Sequence, residues 1–270
     1  MRTRAVLRLA PPLGVLSICV AGCSGKGSDP PPWKLVWSDE FNGTALDTNT
    51  WAIDMGGDFG TGQQDYDTDR PDNISVSGGV LSITAREESY SGDSYTSGRM
   101  ETNVKVAQAY GRFEARVRIP KGQGMWPAFW LLGNDYSSAG WPACGEIDIM
   151  ENRGVDTTTV YGSLHGPGGA NYTGGYVLPN GGDFSADFHV FAVEWEPGVI
   201  RWYADDALYE TRTSDTFPRS QPWVFDHPFF VILDLAVGGQ FGGPVGSSVA
   251  FPQAMQVDYV RVYARAGESS

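Results

Sequence analysis

Nowhere in this chain do ten or more residues hold a 3.6-residue apolar period, whereas several short stretches alternate strictly. Arg112 to Ile119, RFEARVRI, sends Phe113, Ala115, Val117 and Ile119 to one side and Arg112, Glu114, Arg116 and Arg118 to the other, which predicts a half-buried strand. Ile74 to Thr84 carries two β-branched runs about Ser77-Gly78-Gly79, and Val199 to Glu210 two runs about Asp205-Asp206; each predicts a hairpin. Phe229 to Val237, FFVILDLAV, is apolar almost throughout and suits a strand covered on both faces. With 35 glycines and 17 prolines to supply turns, the chain reads as all-β, two antiparallel sheets packed as a β-sandwich. Aromatic residues at 13% against charged residues at 19% exclude a disordered polyelectrolyte. No repeat or second linker interrupts residues 33–265, which read as one domain followed by a short tail, 266–270.

The formal net charge of -13 has the wrong sign for nucleic acid, so the expected partners are neutral or cationic. Arg2, Arg4 and Arg8 precede an apolar run from Leu13 to Ala21, too short to span a bilayer and suited to an export signal. The run ends in Val20-Ala21-Gly22-Cys23, which resembles a bacterial lipobox. Residues 1–22 therefore read as a lipoprotein-type signal peptide, Cys23 as the lipidation site and 23–32 as a flexible tether. The protein is expected to be exported and lipid-anchored at the bacterial cell envelope, with plain secretion as the alternative. Cys19 would leave with the signal and Cys23 would carry lipid, which leaves Cys144 without an internal partner and implies no disulfide framework. Three histidines and one thiol give none of the spacings of a zinc site.

The chemistry concentrates in Gly145 to Asn152, GEIDIMEN. On a flat strand Glu146 and Asp148 share a face, and Glu151 points away. One extra residue at Ile149-Met150, a β-bulge, returns Glu151 to the carboxylate face while Ile147 stays in the core. Crowded carboxyls raise one another's proton affinity, as a site that stores a proton near neutral pH requires. Such a pair performs glycoside chemistry without metal or organic cofactor: one carboxylate attacks the anomeric carbon while the other, protonated, protonates the departing oxygen. Two glutamates on one strand favour retention of configuration.

The blocks WSDEF (Trp37 to Phe41), YTSGRMET (Tyr95 to Thr102), YGRFEARVRIP (Tyr110 to Pro120), GMWPAFWLLG (Gly124 to Gly133), WPACGEIDIMEN (Trp141 to Asn152), SLHG (Ser163 to Gly166) and VDYVRVY (Val257 to Tyr263) follow one another in order. Over nearly all of Trp37 to Tyr263 the chain resembles family 16 glycoside hydrolases, specifically bacterial laminarinase-like endo-β-1,3-glucanases. The resemblance implies a concanavalin-like jelly roll with a substrate cleft on its concave face. It implies Glu146 as nucleophile, Glu151 as general acid/base and Asp148 as the neighbour that tunes the nucleophile, with no catalytic cofactor. It further implies that Trp126, Trp130, Trp141 and Arg99 line the cleft, that His165 lies near the acid/base, and that Glu40, the carbonyl of Gly79 and Asp258 hold a structural calcium. A monomer acting on β-1,3-glucan is expected. The extra residue Met150 argues against a strict mixed-linkage lichenase, and Asp234 and Phe241 stand where relatives often carry Asn and Trp, which alters a stacking platform at Phe241. The alternatives are a hydrolase of mixed-linkage glucan or an algal galactan, and a noncatalytic glucan-binding protein, against which the intact acidic triplet speaks.

Overall fold

The computed structural model describes residues 32–103 and 105–265. The expected signal peptide, Cys23, the expected tether up to residue 31 and the tail 266–270 lie outside the described residues. In chain order the strands are β1 (Trp33–Asp39), β2 (Ala52–Ile53), β3 (Asp65–Asp67), β4 (Ile74–Ser77), β5 (Val80–Tyr90), β6 (Asp93–Ser97), β7 (Arg99–Glu101), β8 (Ala107–Gln108) and β9 (Gly111–Arg118). They continue with β10 (Met125–Gly133), β11 (Glu146–Arg153), β12 (Asp156–Gly166), β13 (Ala170–Val177), β14 (His189–Glu196), β15 (Val199–Ala204), β16 (Ala207–Thr213), β17 (Phe229–Val237) and β18 (Gln253–Arg265). Two four-residue helices, α1 (Tyr136–Ala139) and α2 (Gly239–Gly242), sit in connections.

One sheet runs β16-β15-β14-β9-β18-β5-β6-β3, with β1 on β18 and β4 on β5. The other runs β13-β12-β11-β10-β17-β7-β2, with β8 on β17. The expected antiparallel pairing holds except between β3 and β6, which run parallel. Both expected hairpins form. Gly78 (φ 62) and Gly79 (φ 80) join Ser77 to Val80, supplying the two left-handed positions of a tight turn whose twist matches its strands. Asp205 (φ 46) and Asp206 (φ 65) do the same between Ala204 and Ala207, a conformation that aspartate tolerates better than most side chains.

The inner faces meet in one apolar cluster. Leu81, Ile83, Phe113, Val117, Trp195 and Trp202 come from the first sheet, and Phe129, Leu131, Ile147, Ile149, Met150 and Leu233 from the second. Each such side chain contributes about 1.5–3 kcal/mol on full burial. The alternation read in β9 places its apolar residues correctly, but Glu114 is buried too. Arg112 Nε donates to it at 2.9 Å and the Tyr263 hydroxyl at 3.1 Å, so the charge goes into the fold with partners. β17 is covered on both faces as expected, because Phe230 and Ile232 pack with Leu132 and the buried free thiol of Cys144 on the side away from the main core.

Candidate active site

β11 begins after Gly145, whose φ of 77° and the Phe229 ring 2.9 Å from where a Cβ would stand both require glycine. Against β10 its register runs Glu146 with Leu132, Ile147 with Leu131 and Asp148 with Trp130, then jumps to Met150 with Phe129 and Glu151 with Ala128. Ile149 is the unmatched residue. Ile147, Ile149 and Met150 are all fully buried, so two successive side chains enter the core and Glu151 returns to the face of Glu146 and Asp148. The bulge lies where the carboxylate spacing places it. Trp202, from β15 in the opposing sheet, donates from Nε1 to the Asp148 carbonyl at 2.8 Å. Buried Asn152 donates to the carbonyls of Asp156 (2.8 Å) and Thr159 (2.7 Å), tying down the turn that follows. Neither residue carries a local signal in the sequence.

Two indoles engage the outer carboxyls. Trp141 Nε1 donates to Glu146 Oε2 at 2.9 Å, and Trp126 Nε1 donates to Glu151 Oε1 at 2.9 Å. His165 stands opposite Glu146 in register, with Nε2 3.0 Å from Asp148 Oδ2 and 3.7 Å from Glu146 Oε1. The pairing of β12 with β11 thus puts its direct contacts at the Glu146 end, while its charge still acts on Glu151. Burial pushes Glu146 up to about 8, with the Asp148 charge adding and His165 and the Trp141 N–H opposing. Burial raises Asp148 to about 8 as well. Glu151 is driven well above the usual carboxylate range by burial and then by Asp148, with the Trp126 N–H pulling the other way. The three therefore do not all ionise together near neutral pH, and the cluster holds protons that separate carboxyls would lose. Glu146, Asp148 and His165 offer ligand atoms within 4.8 Å of one another and are the one group among the described residues spaced to share an ion. Glycosyl transfer between carboxyls asks nothing of such an ion.

The remaining residues fall into two groups on the same face. Tyr161, Glu151, Ala128, Asp234 and Arg99 are register neighbours across β12, β11, β10, β17 and β7. Toward the β7 side, Trp130 Nε1 donates to Asp234 Oδ1 at 2.6 Å, and the Arg99 guanidinium lies 5.0 Å from the Trp130 ring and 4.7 Å from that of Phe59 while its Nε bonds Asp54 at 3.1 Å. Behind them are Asp65 and Asp67, both buried. Burial raises Asp65 to about 7 and lifts Asp67 and Asp234 also, while Arg99 pulls the last two down. The alternating acids of Asp65-Tyr66-Asp67 are the sequence signal for this cluster. At the other end Phe241, on α2, packs 5.5 Å from Trp126 and 5.6 Å edge-on to Tyr161, with Arg153 4.7 Å above it. Trp126 and Trp130 thus share a face, but both are half-buried and bonded to carboxyls; the exposed ring is Trp141, at 57%. Pro127 is not at an edge of the sheet, yet pairing with β11 begins only at Ala128, so its missing N–H leaves no ladder bond unmade.

The calcium set is not assembled as a ligand set. Both oxygens of Glu40 accept from Arg261 at 2.9 Å, and Asp258 Oδ2 accepts from Arg116 at 2.8 Å. Guanidinium groups already neutralise the carboxylates that a hard cation would need, so Glu40, Gly79 and Asp258 as arranged do not fit calcium.

The family described as Glycosyl hydrolases family 16 matches residues 62–261. The chain is 45% identical to a Rhodothermus marinus β-glucanase over 92% of each chain. Among solved structures, the catalytic domain of an endo-1,3-β-glucanase (laminarinase) from Thermotoga petrophila is 45% identical with a TM-score of 0.83, covering 88% of this chain and all of that one. The Pyrococcus furiosus endo-β-1,3-glucanase is 40% identical with a TM-score of 0.84, covering 89% of this chain and 97% of that one.

Proposed function

The chain belongs to glycosyl hydrolase family 16, and from that premise we propose that it is a retaining endo-hydrolase of internal β-1,3 bonds in laminarin-type glucans. The observation that carries the reading is the bulge, which sets Glu146, Asp148 and Glu151 on one face with an indole N–H on each outer carboxyl. Glu151, protonated, gives its proton to the glycosidic oxygen as a carboxylate oxygen of Glu146 attacks the anomeric carbon; the C–O bond breaks and its electron pair leaves with the protonated oxygen. Glu151, now ionised, takes a proton from water as that water attacks the same carbon and releases Glu146. Asp148, between them and 3.0 Å from His165, shares a proton with Glu146 and returns it to the carboxylate form when charge is needed. The names of the three relatives described above, a β-glucanase, a laminarinase and an endo-β-1,3-glucanase, support a glucan as substrate.

The test is side-by-side product analysis on laminarin, curdlan, lichenan and agarose, with the anomer followed by NMR. The expected products are β-anomeric oligosaccharides from laminarin and curdlan. Initial α-anomers would reject retention, and cleavage of agarose without laminarin would reject the glucan. The proposal extends to the N-terminus, where the lipobox-like pattern supports export and anchoring through Cys23. Labelled palmitate is expected to join the wild type and not Cys23→Ser; label on both would discard that attachment point.

A further inference from the structure

We propose that Trp126 is a positioning residue that determines which oxygen of Glu151 carries the transferable proton. The inference rests on the reading of Glu151 as acid/base. An indole N–H is a donor and never an acceptor. Held 2.9 Å from Oε1, it faces a lone pair, so a proton on the Glu151 carboxyl belongs on Oε2. Oε2 then both gives the proton in the first step and takes one from water in the second, while the bond to Oε1 persists through both charge states.

The indole is held against rotation. A Cβ on Gly239 would stand 3.0 Å from Trp126 Cζ3 and one on Gly242 3.1 Å from Trp126 Cβ, so α2 lies close against the ring edge and the base of the side chain. Phe241, between them, packs on the same ring and is itself held by Tyr161 and Arg153. An orientation fixed by α2 along the side chain, with Phe241 braced in turn from β11 and β12, makes the choice of oxygen a property of the fold. The groups that act on Glu151 are Asp148 and Glu146 from its own strand, Trp126 from β10 and His165 from β12, and the charge of Glu151 is felt in turn by Tyr209 on β16. Of these, Asp148 and Glu146 favour the protonated form, and Trp126 and His165 favour the ionised one.

Trp126→Phe keeps a ring against Phe241 and removes the N–H. Two substrates separate the possible roles: laminarin, whose leaving sugar needs a proton, and a dinitrophenyl β-laminaribioside, whose leaving group needs none. In the variant, kcat on laminarin is expected to fall on the order of 10- to 100-fold, part of the range that acid–base assistance provides. The burst of dinitrophenolate should change less than about threefold, and the alkaline limb of kcat/KM on laminarin should move to higher pH, because a donor to the carboxylate is gone. An equal loss on both substrates, confined to KM and with the limb unmoved, would make Trp126 a stacking surface and overturn the proposal. Glu151→Gln is the reference. If it leaves laminarin turnover intact, the acid/base reading itself falls; if it is inactive while Trp126→Phe shows no leaving-group dependence, only the positioning role falls. Should Trp126→Phe fail to fold by circular dichroism, Trp126→Met, a flexible filler without a donor, takes its place in the same comparison.

Discussion

Glu146→Gln and Glu151→Gln are each expected to lower turnover of laminarin by about 10³-fold or more, as loss of a group acting in the bond-breaking step does. The melting temperature should not fall with it. Burial holds Glu146 up to about 8 in the folded chain, against an ordinary value of 4.5. The sign follows directly: a carboxyl whose folded pKa is raised contributes its full share of stability below about 4.5 and loses it as pH climbs toward 8, because the unfolded chain ionises first. A neutral amide escapes that loss, so Glu146→Gln should melt above the wild type at pH 8 and match it near pH 4. Equal activity in either variant would remove the role assigned to that residue. Azide separates the two roles. Glu146→Ala should give an α-glycosyl azide, the azide entering from the side the nucleophile vacated, and Glu151→Ala a β-glycosyl azide formed from the intact covalent intermediate. The same azide anomer from both variants would dissolve the distinction.

The features legible in the sequence are those set by neighbours along the chain. Alternation in Arg112 to Ile119 gives a strand, two central turn residues give each hairpin, and the odd spacing of Glu151 from Glu146 and Asp148 requires one extra residue that the register shows at Ile149. What the sequence leaves hidden depends on which strands come together. His165 reaches Asp148 through the pairing of β12 with β11, so its distance from Glu151 along the chain says little about its partner. Asp65 and Asp67 join Asp234 and Arg99 from far along the chain, through the loop that brings β3 against the end of β17; Asp65 accepts the Val237 N–H at 2.7 Å. Glu40 and Asp258 match a calcium pattern by position, yet Arg261 and Arg116, on the strands beside them, meet those carboxylates first.

Trp202 is the clearest case of a contact hidden from local reading, and it gives the second large expected effect. A bulge frees backbone groups from the ladder, and a buried carbonyl without a partner costs about 1–3 kcal/mol. The Asp148 carbonyl avoids that cost through the Trp202 indole 2.8 Å away, supplied by the other sheet. The ring lies close beneath β12 as well: a Cβ on Gly162 would stand 2.4 Å from Trp202 Cδ1, so glycine there is what lets the indole approach. Trp202→Phe should therefore lower the melting temperature by roughly 5–10 °C, at about 2–4 °C per kcal/mol for a domain of this size. It should also lower kcat on laminarin about tenfold well below the melting range, with KM nearly unchanged, because the bulge that aims Glu151 has lost its cross-sheet support. Trp195→Phe is the matched control. That indole is equally buried and donates to the Phe225 carbonyl at 3.1 Å, away from the bulge, so its loss should reduce stability and spare kcat. If both variants lost kcat alike, the effect would be general loosening of the core, and Trp202 would have no special part in aiming the acid.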